Sequence, residues 1–226
     1  MTLTARPVAL FGGSFDPVHN GHIGTAIELA DRLQLDRLFL LPAGQSPLKP
    51  PGAPAIHRMA MLQLAVGSDS RLAVDGRELI RPYPSYTIDT LRDFRQQTGH
   101  HTPILFILGM DSFLSLERWH HWQSLTDFAH LLVVTRPGHV ARLQTGLAEW
   151  LNGHRCEDPH LLEYSASGQV AFIETRPHDV SSSAIRKALA AGITPESLPL
   201  PAAVARYIRQ HQLYGATSTH EFRLQL

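Results

Sequence analysis

Residues 8–22 read VALFGGSFDPVHNGH, a short apolar run followed by two glycines and then two histidines. The run 8–11 is typical of a buried strand, and the glycines allow a turn whose backbone amides come close to a ligand. Apolar residues then recur at helical spacing as far as Leu33, which predicts a helix that begins near Asn20 or Gly21. Because the first N–H groups of a helix and its positive dipole end favour an anion, the segment predicts a phosphate-binding turn.

Two histidines stand at the beginning of this predicted helix. His19 and His22 are three residues apart, so both rings can face one ligand. Three interpretations stay open: zinc ligands, helix caps without a function, or phosphate-binding groups. Zinc needs three or four protein ligands, and neither the other histidines nor the lone Cys156 supply a second pair at ligand spacing. Phosphate binding is therefore favoured, and no metal held by the protein is expected.

The composition is that of an ordinary soluble enzyme. Of 226 residues, 43% are hydrophobic and 18% are charged, and 20 basic residues balance 20 acidic ones. This balance argues against binding to nucleic acid or to a membrane, because both would require a basic surface. A single cysteine excludes an intrachain disulfide, and no apolar run approaches the roughly 20 residues of a membrane span. We expect a soluble cytoplasmic protein, and the sequence leaves open whether it is a homo-oligomer.

Short apolar runs alternate with segments of helical periodicity along most of the chain. The runs are residues 8–11, 38–41, 72–74, 104–108, 131–134 and 170–173. This alternation predicts an α/β fold, a Rossmann-like doubly wound parallel sheet with a small C-terminal helical part. We expect one domain over residues 1–214, with its helical portion at about 180–214, and a polar tail at 215–226. Ligands of such sheets bind beyond the carboxyl ends of the strands, where these segments should gather: residues 12–22, 42–51, 109–112 and 135–138.

Two segments of the chain match a known pattern. Residues 13–22, with His19 and His22 in an H-x-G-H arrangement, resemble the signature of the nucleotidylyltransferase superfamily. A second element, VSSSAIR at residues 180–186, resembles the distal ISSTxIR-type motif of that superfamily and lies about 160 residues further on. By this resemblance Arg186 holds the β- and γ-phosphates of ATP with its planar guanidinium. The serines of the same element could also be plain helix caps.

Within the superfamily, the chain is similar to the bacterial nicotinate-mononucleotide adenylyltransferases from about Val8 to Tyr214. The similarity rests on PSYTIDTL at residues 84–91, ILGMDS at residues 107–112, and RPG at residues 136–138. It implies transfer of the adenylyl group of ATP to nicotinate mononucleotide, which gives nicotinate adenine dinucleotide and pyrophosphate. Two alternatives stay open. One is transfer to nicotinamide mononucleotide or another phosphorylated acceptor, and the other is a non-catalytic, nucleotide-binding regulatory module.

The resemblance and the local patterns together imply a set of site residues. Those assigned to catalysis are His19, His22 and Arg186. Those assigned to ATP are Gly12, Gly13, Ser14, Phe15, His19, Gly21, His22, Gly109, Asp111, Ser181, Ser182 and Arg186. Those assigned to nicotinate mononucleotide are Lys49, Tyr86, Thr87, Asp111, Trp119 and Arg136. A Mg²⁺ ion is implied with ATP, bridging phosphates mainly through substrate oxygens and waters.

Several residues on the acceptor side have a structural alternative. Ser85 can cap a helix that starts at Thr87, which leaves free N–H groups beside Tyr86; by the resemblance, these receive the nicotinate carboxylate. Asp111 can accept hydrogen bonds from ribose hydroxyls or cap the following helix. Trp119 can stack on a pyridine ring or pack in the core.

The proline-rich segment departs from the pattern of the similar family. Members usually carry a histidine there, whereas this chain has Leu48. Lys49 keeps a cation that can bind phosphate.

Overall fold

The computed structural model describes residues 6–44, 52–82, 84–138 and 142–216. Its strands are β1 (Val8–Gly13), β2 (Arg37–Pro42), β3 (Leu72–Val74), β4 (Ile104–Gly109), β5 (His130–Thr135), β6 (Arg155–Cys156) and β7 (Val170–Glu174). They form one parallel sheet in the order β3-β2-β1-β4-β5-β7-β6. The chain winds outward from β1 to β3 and then returns to β4 on the other side of β1. The crevice at this reversal is where sheets of this kind bind ligands.

Helices cover both faces of the sheet. They are α1 (Asn20–Arg32), α2 (Ala55–Val66), α3 (Thr87–Thr98), α4 (Met110–Leu114), α5 (Leu125–Phe128), α6 (Thr145–Asn152), α7 (Ser182–Ala190) and α8 (Ala202–Gln210). Apolar residues of α1, α2, α7 and α8 pack in one core, and those of α3 to α6 pack in the other. Successive strand residues alternate between these cores, with Ala9 and Phe11 in the first and Leu10 in the second. The predicted Rossmann-like doubly wound sheet with its C-terminal helices is confirmed.

The two glycines after residue 11 belong to β1, so the prediction that they form a turn is wrong. Gly12 and Gly13 stand opposite Leu41 and Pro42 of β2 in the parallel register. A Cβ on Gly12 would lie 2.8 Å from the ring of Phe106, and one on Gly13 would lie 2.9 Å from the ring of Phe15. The glycines therefore make room for two aromatic rings, and the turn itself begins at Ser14.

The later part of the chain departs from the sequence prediction at two places. The helix predicted near residues 142–151 is α6, whereas the two-residue strand β6 is not predicted. Gly215 ends a 3₁₀ turn and Ala216 is buried, so the chain is still packed at the first two residues of the predicted tail. Residues 217–226 and the proline-rich segment 45–51 lie outside the described residues. In the described part of the chain, no helix is long and apolar enough to cross a membrane.

Candidate active site

A cleft of about 1160 Å³ opens at the carboxyl ends of the central strands. Four segments of the chain are expected there. Three of them line the cleft, namely the turn after β1, the segment from the end of β4 into α4, and the loop after β5. The fourth lies mostly outside the described residues, and Ala43 and Gly44 from its beginning line the cleft. Residues of the distal motif at 180–186 complete the wall of the cleft. Predicted site residues that line the cleft are Ser14, His19, Gly21, His22, Gly109, Asp111, Arg136, Ser181, Ser182 and Arg186.

The two histidines of the turn stack on each other. His19 is the N-cap residue of α1, in extended conformation, and its ring centroid lies 3.7 Å from that of His22, with 19° between the planes. The backbone N–H of His19 donates to Nδ1 of His22 at 3.3 Å, so the neutral His22 ring carries its proton on Nε2. Nδ1 of His19 is buried and has no hydrogen-bond partner among the described residues. An orphaned polar atom of this kind in a cleft wall points to a ligand that satisfies it.

Burial keeps both rings neutral at physiological pH. Burial and, second to it, the neighbouring His178 lower the pKa of His19 to about 4. Burial also lowers the pKa of His22 to about 3, with the proximity of His19 as the second cause. Each ring therefore offers one N–H donor and no charge in the protein alone. A phosphate anion nearby would favour the charged form of the rings and raise both pKa values.

Arg186 of α7 lines the same cleft as this pair. Its Nη1 donates to the backbone carbonyl of Asp16 at 2.7 Å. The start of α7 is fixed by two serines: Ser181 Oγ accepts from the backbone N–H of Ala184 at 3.2 Å, and Ser182 Oγ donates to the carbonyl of Pro17 at 2.9 Å. Ser181 is thus the N-cap of α7 and also lines the cleft. The distal motif is bonded directly to the turn that carries the histidines.

Helix α3 begins at Thr87, as the sequence predicts, but Ser85 does not cap it. Its N-cap residue is Tyr86, and Ser85 Oγ accepts a hydrogen bond from Arg81 Nη1 at 2.7 Å. Helix geometry still leaves the first N–H groups of α3, those of Thr87 and Ile88, without an intrahelical acceptor. The ring of Tyr86 packs against His120, with 4.4 Å between ring centroids.

Six predicted site residues do not line the cleft, and a seventh lies outside the described residues. Tyr86 and Thr87 stand beside the cleft rather than in its wall, and Phe15 is fully buried. Trp119 packs against the second core, with its ring edge-to-face on Phe106 at 6.3 Å. Gly12 and Gly13 of β1 lie against the rings of Phe106 and Phe15. Lys49 lies outside the described residues.

The structure also brings in residues that the sequence analysis did not single out. Arg58 of α2 donates to the carbonyls of Ser14 at 2.9 Å, Ala43 at 2.8 Å and Ala53 at 3.2 Å, and so joins the turn after β1 to both ends of the β2–α2 connection. Glu78 is buried in the opposite wall, where burial raises the pKa of its carboxyl. No local pattern marks these residues, because their partners are distant in sequence.

Comparisons with known proteins agree with this arrangement. The family model described as cytidylyltransferase-like matches residues 10–188. A protein of Marinomonas sp. named "Probable nicotinate-nucleotide adenylyltransferase" is 46% identical over 210 residues, covering 92% of this chain and 94% of the relative. A protein of the same name from Yersinia enterocolitica is 44% identical over 208 residues, covering 91% and 94%.

Solved structures agree in fold. The Plasmodium falciparum nicotinic acid mononucleotide adenylyltransferase complexed with NaAD has a TM-score of 0.70 at 15% identity, covering 94% of this chain and 98% of that one. The same enzyme complexed with APC has a TM-score of 0.67. At this identity the likeness shows the shared fold, while the curated relatives show the closer kinship. The chain belongs to the cytidylyltransferase-like nucleotidyltransferases and, within them, to the nicotinate-nucleotide adenylyltransferase family.

Proposed function

We propose that this protein transfers the adenylyl group of ATP to the 5′-phosphate of nicotinate mononucleotide. A phosphate oxygen of the mononucleotide attacks the α-phosphorus of ATP, and the bond from that phosphorus to the bridging oxygen of the β-phosphate breaks. The products are nicotinate adenine dinucleotide and pyrophosphate. The observation that carries the proposal is that the neutral, stacked pair His19 and His22 lines one cleft together with Arg186. The names of the relatives at 44–46% identity support the same reaction.

The reaction needs positioning and charge stabilisation rather than a general base. The phosphate monoester has its second pKa near 6, so the nucleophile is already mostly a dianion at neutral pH. The imidazole N–H groups donate to the α- and β-phosphate oxygens as negative charge shifts toward the leaving group. Arg186 holds the pyrophosphate that departs. The two substrates are aligned by the walls of the cleft.

We include Mg²⁺ in the proposal as part of the nucleotide substrate. Within the described residues, no three His, Cys, Asp or Glu side chains lie close enough together to hold a metal ion. The carboxylate Oδ1 of Asp16, beside Arg186, already accepts from Tyr214 at 2.7 Å and from the backbone N–H of Ala53 at 3.0 Å. Since Asp16 is already occupied by these hydrogen bonds, we assign the ion mainly to phosphate oxygens and water, where it neutralises charge on the polyphosphate.

Recognition of the acceptor is assigned to the N-terminus of α3. The free N–H groups of Thr87 and Ile88 and the positive end of this helix suit the carboxylate of a nicotinate ring better than a neutral amide. Asp111 and Arg136 line the same cleft at the ends of β4 and β5. Asp111 is available to ribose hydroxyls and Arg136 to the acceptor phosphate. We also propose a single catalytic domain in the cytoplasm, which the lone, buried and unpaired Cys156 supports.

A direct assay tests the function. Purified protein receives MgATP with nicotinate mononucleotide, nicotinamide mononucleotide or 4′-phosphopantetheine, and pyrophosphate and the dinucleotide product are measured. We expect rapid release of pyrophosphate with nicotinate mononucleotide and slow release with the other two. Faster turnover of another acceptor would replace the proposed substrate. Binding of ATP without pyrophosphate release from any acceptor would favour a regulatory module.

A further inference from the structure

We infer that Tyr214 is a positioning residue for Arg186 and acts through the carboxylate of Asp16. The inference rests on the proposed function, because it concerns the arginine assigned to the phosphates of ATP. Tyr214 lies near the end of the described chain, 198 positions after Asp16, and outside the motifs at residues 13–22 and 180–186.

The 3₁₀ turn Leu213–Gly215 that follows α8 brings the phenol of Tyr214 to Asp16, a residue of the cleft wall. Its backbone has a φ of 59°, in the left-handed region that bulky residues rarely adopt. The next residues hold the turn in place, since Gly215 lies against the backbone of Ala190 in α7 and Ala216 is buried. A residue kept in an unfavourable conformation by its surroundings often serves the site it faces.

The two carboxylate oxygens of Asp16 have different neighbours. Its Oδ1 accepts from the Tyr214 hydroxyl at 2.7 Å and from the Ala53 backbone N–H at 3.0 Å. Its Oδ2 lies 3.7 Å from Arg186 Nη1, beyond hydrogen-bond length, while that Nη1 donates to the Asp16 carbonyl at 2.7 Å. The guanidinium is therefore oriented by a neutral carbonyl and attracted, but not locked, by the carboxylate.

Tyr214 maintains this arrangement. With the phenol in place, the carboxylate stays turned toward Tyr214 and Ala53, and the guanidinium stays available to a polyphosphate. Without the hydroxyl, Oδ1 loses one of its two donors, and the carboxylate is free to rotate and pair directly with Arg186. Such a close ion pair is a charge-assisted contact that ATP would have to break.

The variant Tyr214→Phe tests the inference. Binding of ATP is measured by calorimetry without an acceptor, and steady-state kinetics are measured with nicotinate mononucleotide. We expect the Kd and the KM for ATP to rise about tenfold, the effect of losing one hydrogen bond to a charged group. The kcat and the KM for the acceptor should stay within about twofold, since the phenol touches neither reacting atom.

The matched control is Tyr207→Phe, which removes a hydroxyl that bonds to His57 at 3.0 Å instead of to Asp16. It should leave the Kd for ATP unchanged. In an Asp16→Asn background, where no ion pair with Arg186 forms, Tyr214→Phe should change the Kd for ATP less than twofold. Wild-type affinity in Tyr214→Phe, an equal loss in Tyr207→Phe, or a full tenfold loss in the Asn background would overturn the inference.

If Asp16→Asn fails to fold, the two tyrosine variants decide alone. The binding measurement also separates this inference from the proposed function. The dinucleotide assay on the wild-type protein tests the reaction, whereas the ATP titration reports on Tyr214 even if another acceptor proves to be the substrate.

Discussion

The ring centroids of His19 and His22 lie 3.7 Å apart, a spacing at which two imidazolium charges would repel each other. Burial lowers the pKa of both rings, and the second cause is the proximity of His178 for His19 and of His19 for His22. Both rings are therefore neutral at physiological pH, and an anion bound in the cleft would favour their protonation. At the scale of single residues, this neutral pair makes the stability of the protein depend on pH.

The stability of the protein alone should fall as the pH drops below 6.5. The unfolded histidines take up protons near their ordinary pKa of 6.5, whereas His19 and His22 do so in the folded state only near 4 and 3. The unfolded state thus binds more protons between these values, and the free energy of unfolding decreases by about 1 kcal/mol for each of the two histidines between pH 6 and pH 5. Urea denaturation of the wild type and His22→Asn at both pH values should show a smaller decrease in the variant. An exposed control, His100→Asn, should behave as the wild type does, and a decrease in His22→Asn equal to that of the wild type would contradict the prediction.

Loss of the second histidine should affect turnover far more than folding. His22→Ala removes a preorganised N–H donor from the leaving phosphates, so we expect kcat to fall roughly 10²-fold or more. Stopped assays of pyrophosphate release at pH 7.5 measure the effect, and circular dichroism confirms the fold. His100→Ala, an exposed substitution away from the cleft, is the control. A kcat in His22→Ala within threefold of the control would remove His22 from the mechanism.

At the scale of elements, α3 is anchored at its far end by one buried arginine. Arg95 donates to the carbonyls of Gly99 at 2.9 Å, Thr102 at 2.6 Å, Phe128 at 2.7 Å and Ala166 at 2.7 Å. It joins the end of α3 to the loop before β4, to the end of α5 and to the loop before β7. These contacts fix the position of α3, and with it the position of its first turn, which is assigned to the nicotinate carboxylate.

Arg95→Met should destabilise the fold without changing substrate affinity. The substitution leaves several partly buried carbonyls without their arginine donor, and we expect a loss of about 3 kcal/mol in the free energy of unfolding. Arg92→Met on the same helix breaks a partly exposed pair with Asp89 and a contact of the guanidinium with the ring of Phe128 at 5.4 Å, and it should cost less than about 1 kcal/mol. Guanidinium denaturation compares the two variants, and KM values report on the site. Equal stability losses in both variants would show that the carbonyl contacts contribute little.

At the scale of the whole molecule, the proposed ATP site joins two distant parts of the chain. Ser182 of α7 bonds to Pro17, and Arg186 bonds to Asp16, across 165 and 170 positions. A nucleotide held by both parts can bind only when the full sheet between them has formed. Ligand binding and global stability are therefore coupled.

MgATP should raise the stability of the protein, and the increase should depend on Arg186. At a free concentration one hundred times its Kd, a ligand bound only by the folded state adds about 2.7 kcal/mol to the free energy of unfolding. The same concentration should have a much smaller effect on Arg186→Ala. Lys187→Ala, an exposed cation at the next position of α7, should keep the full increase. Thermal denaturation with and without MgATP measures both, and an undiminished shift in Arg186→Ala would place the polyphosphate elsewhere.

Local signals account for the parts of this structure that the sequence predicts well. The start of α1 at Asn20 and of α3 at Thr87 follow from helical periodicity beside a turn, and the strands follow from short apolar runs. The gathering of the cleft segments follows from the parallel sheet, whose ligand sites lie at the carboxyl ends of its strands. These features depend on neighbours in sequence or on a general rule of the fold.

Contacts between distant residues account for the parts that the sequence does not predict. The strand glycines look like a turn until the rings of Phe106 and Phe15 are placed over them. Arg58 and Tyr214 carry no local pattern, because their partners come from other loops. Strand β6 has only two residues, too few for any periodicity to mark it.

The distance in sequence between His22 and Arg186 also determines when both residues are present during synthesis on the ribosome. Arg186 is synthesised 164 positions after His22. At roughly 5–20 residues per second, translation needs roughly 8 to 33 s to cover that distance. Throughout that interval the nascent chain has the histidine pair but no arginine to complete it. From the proposed site we therefore expect that ATP does not act as a template for the early folding steps, and that a truncated product ending before α7 binds the nucleotide weakly.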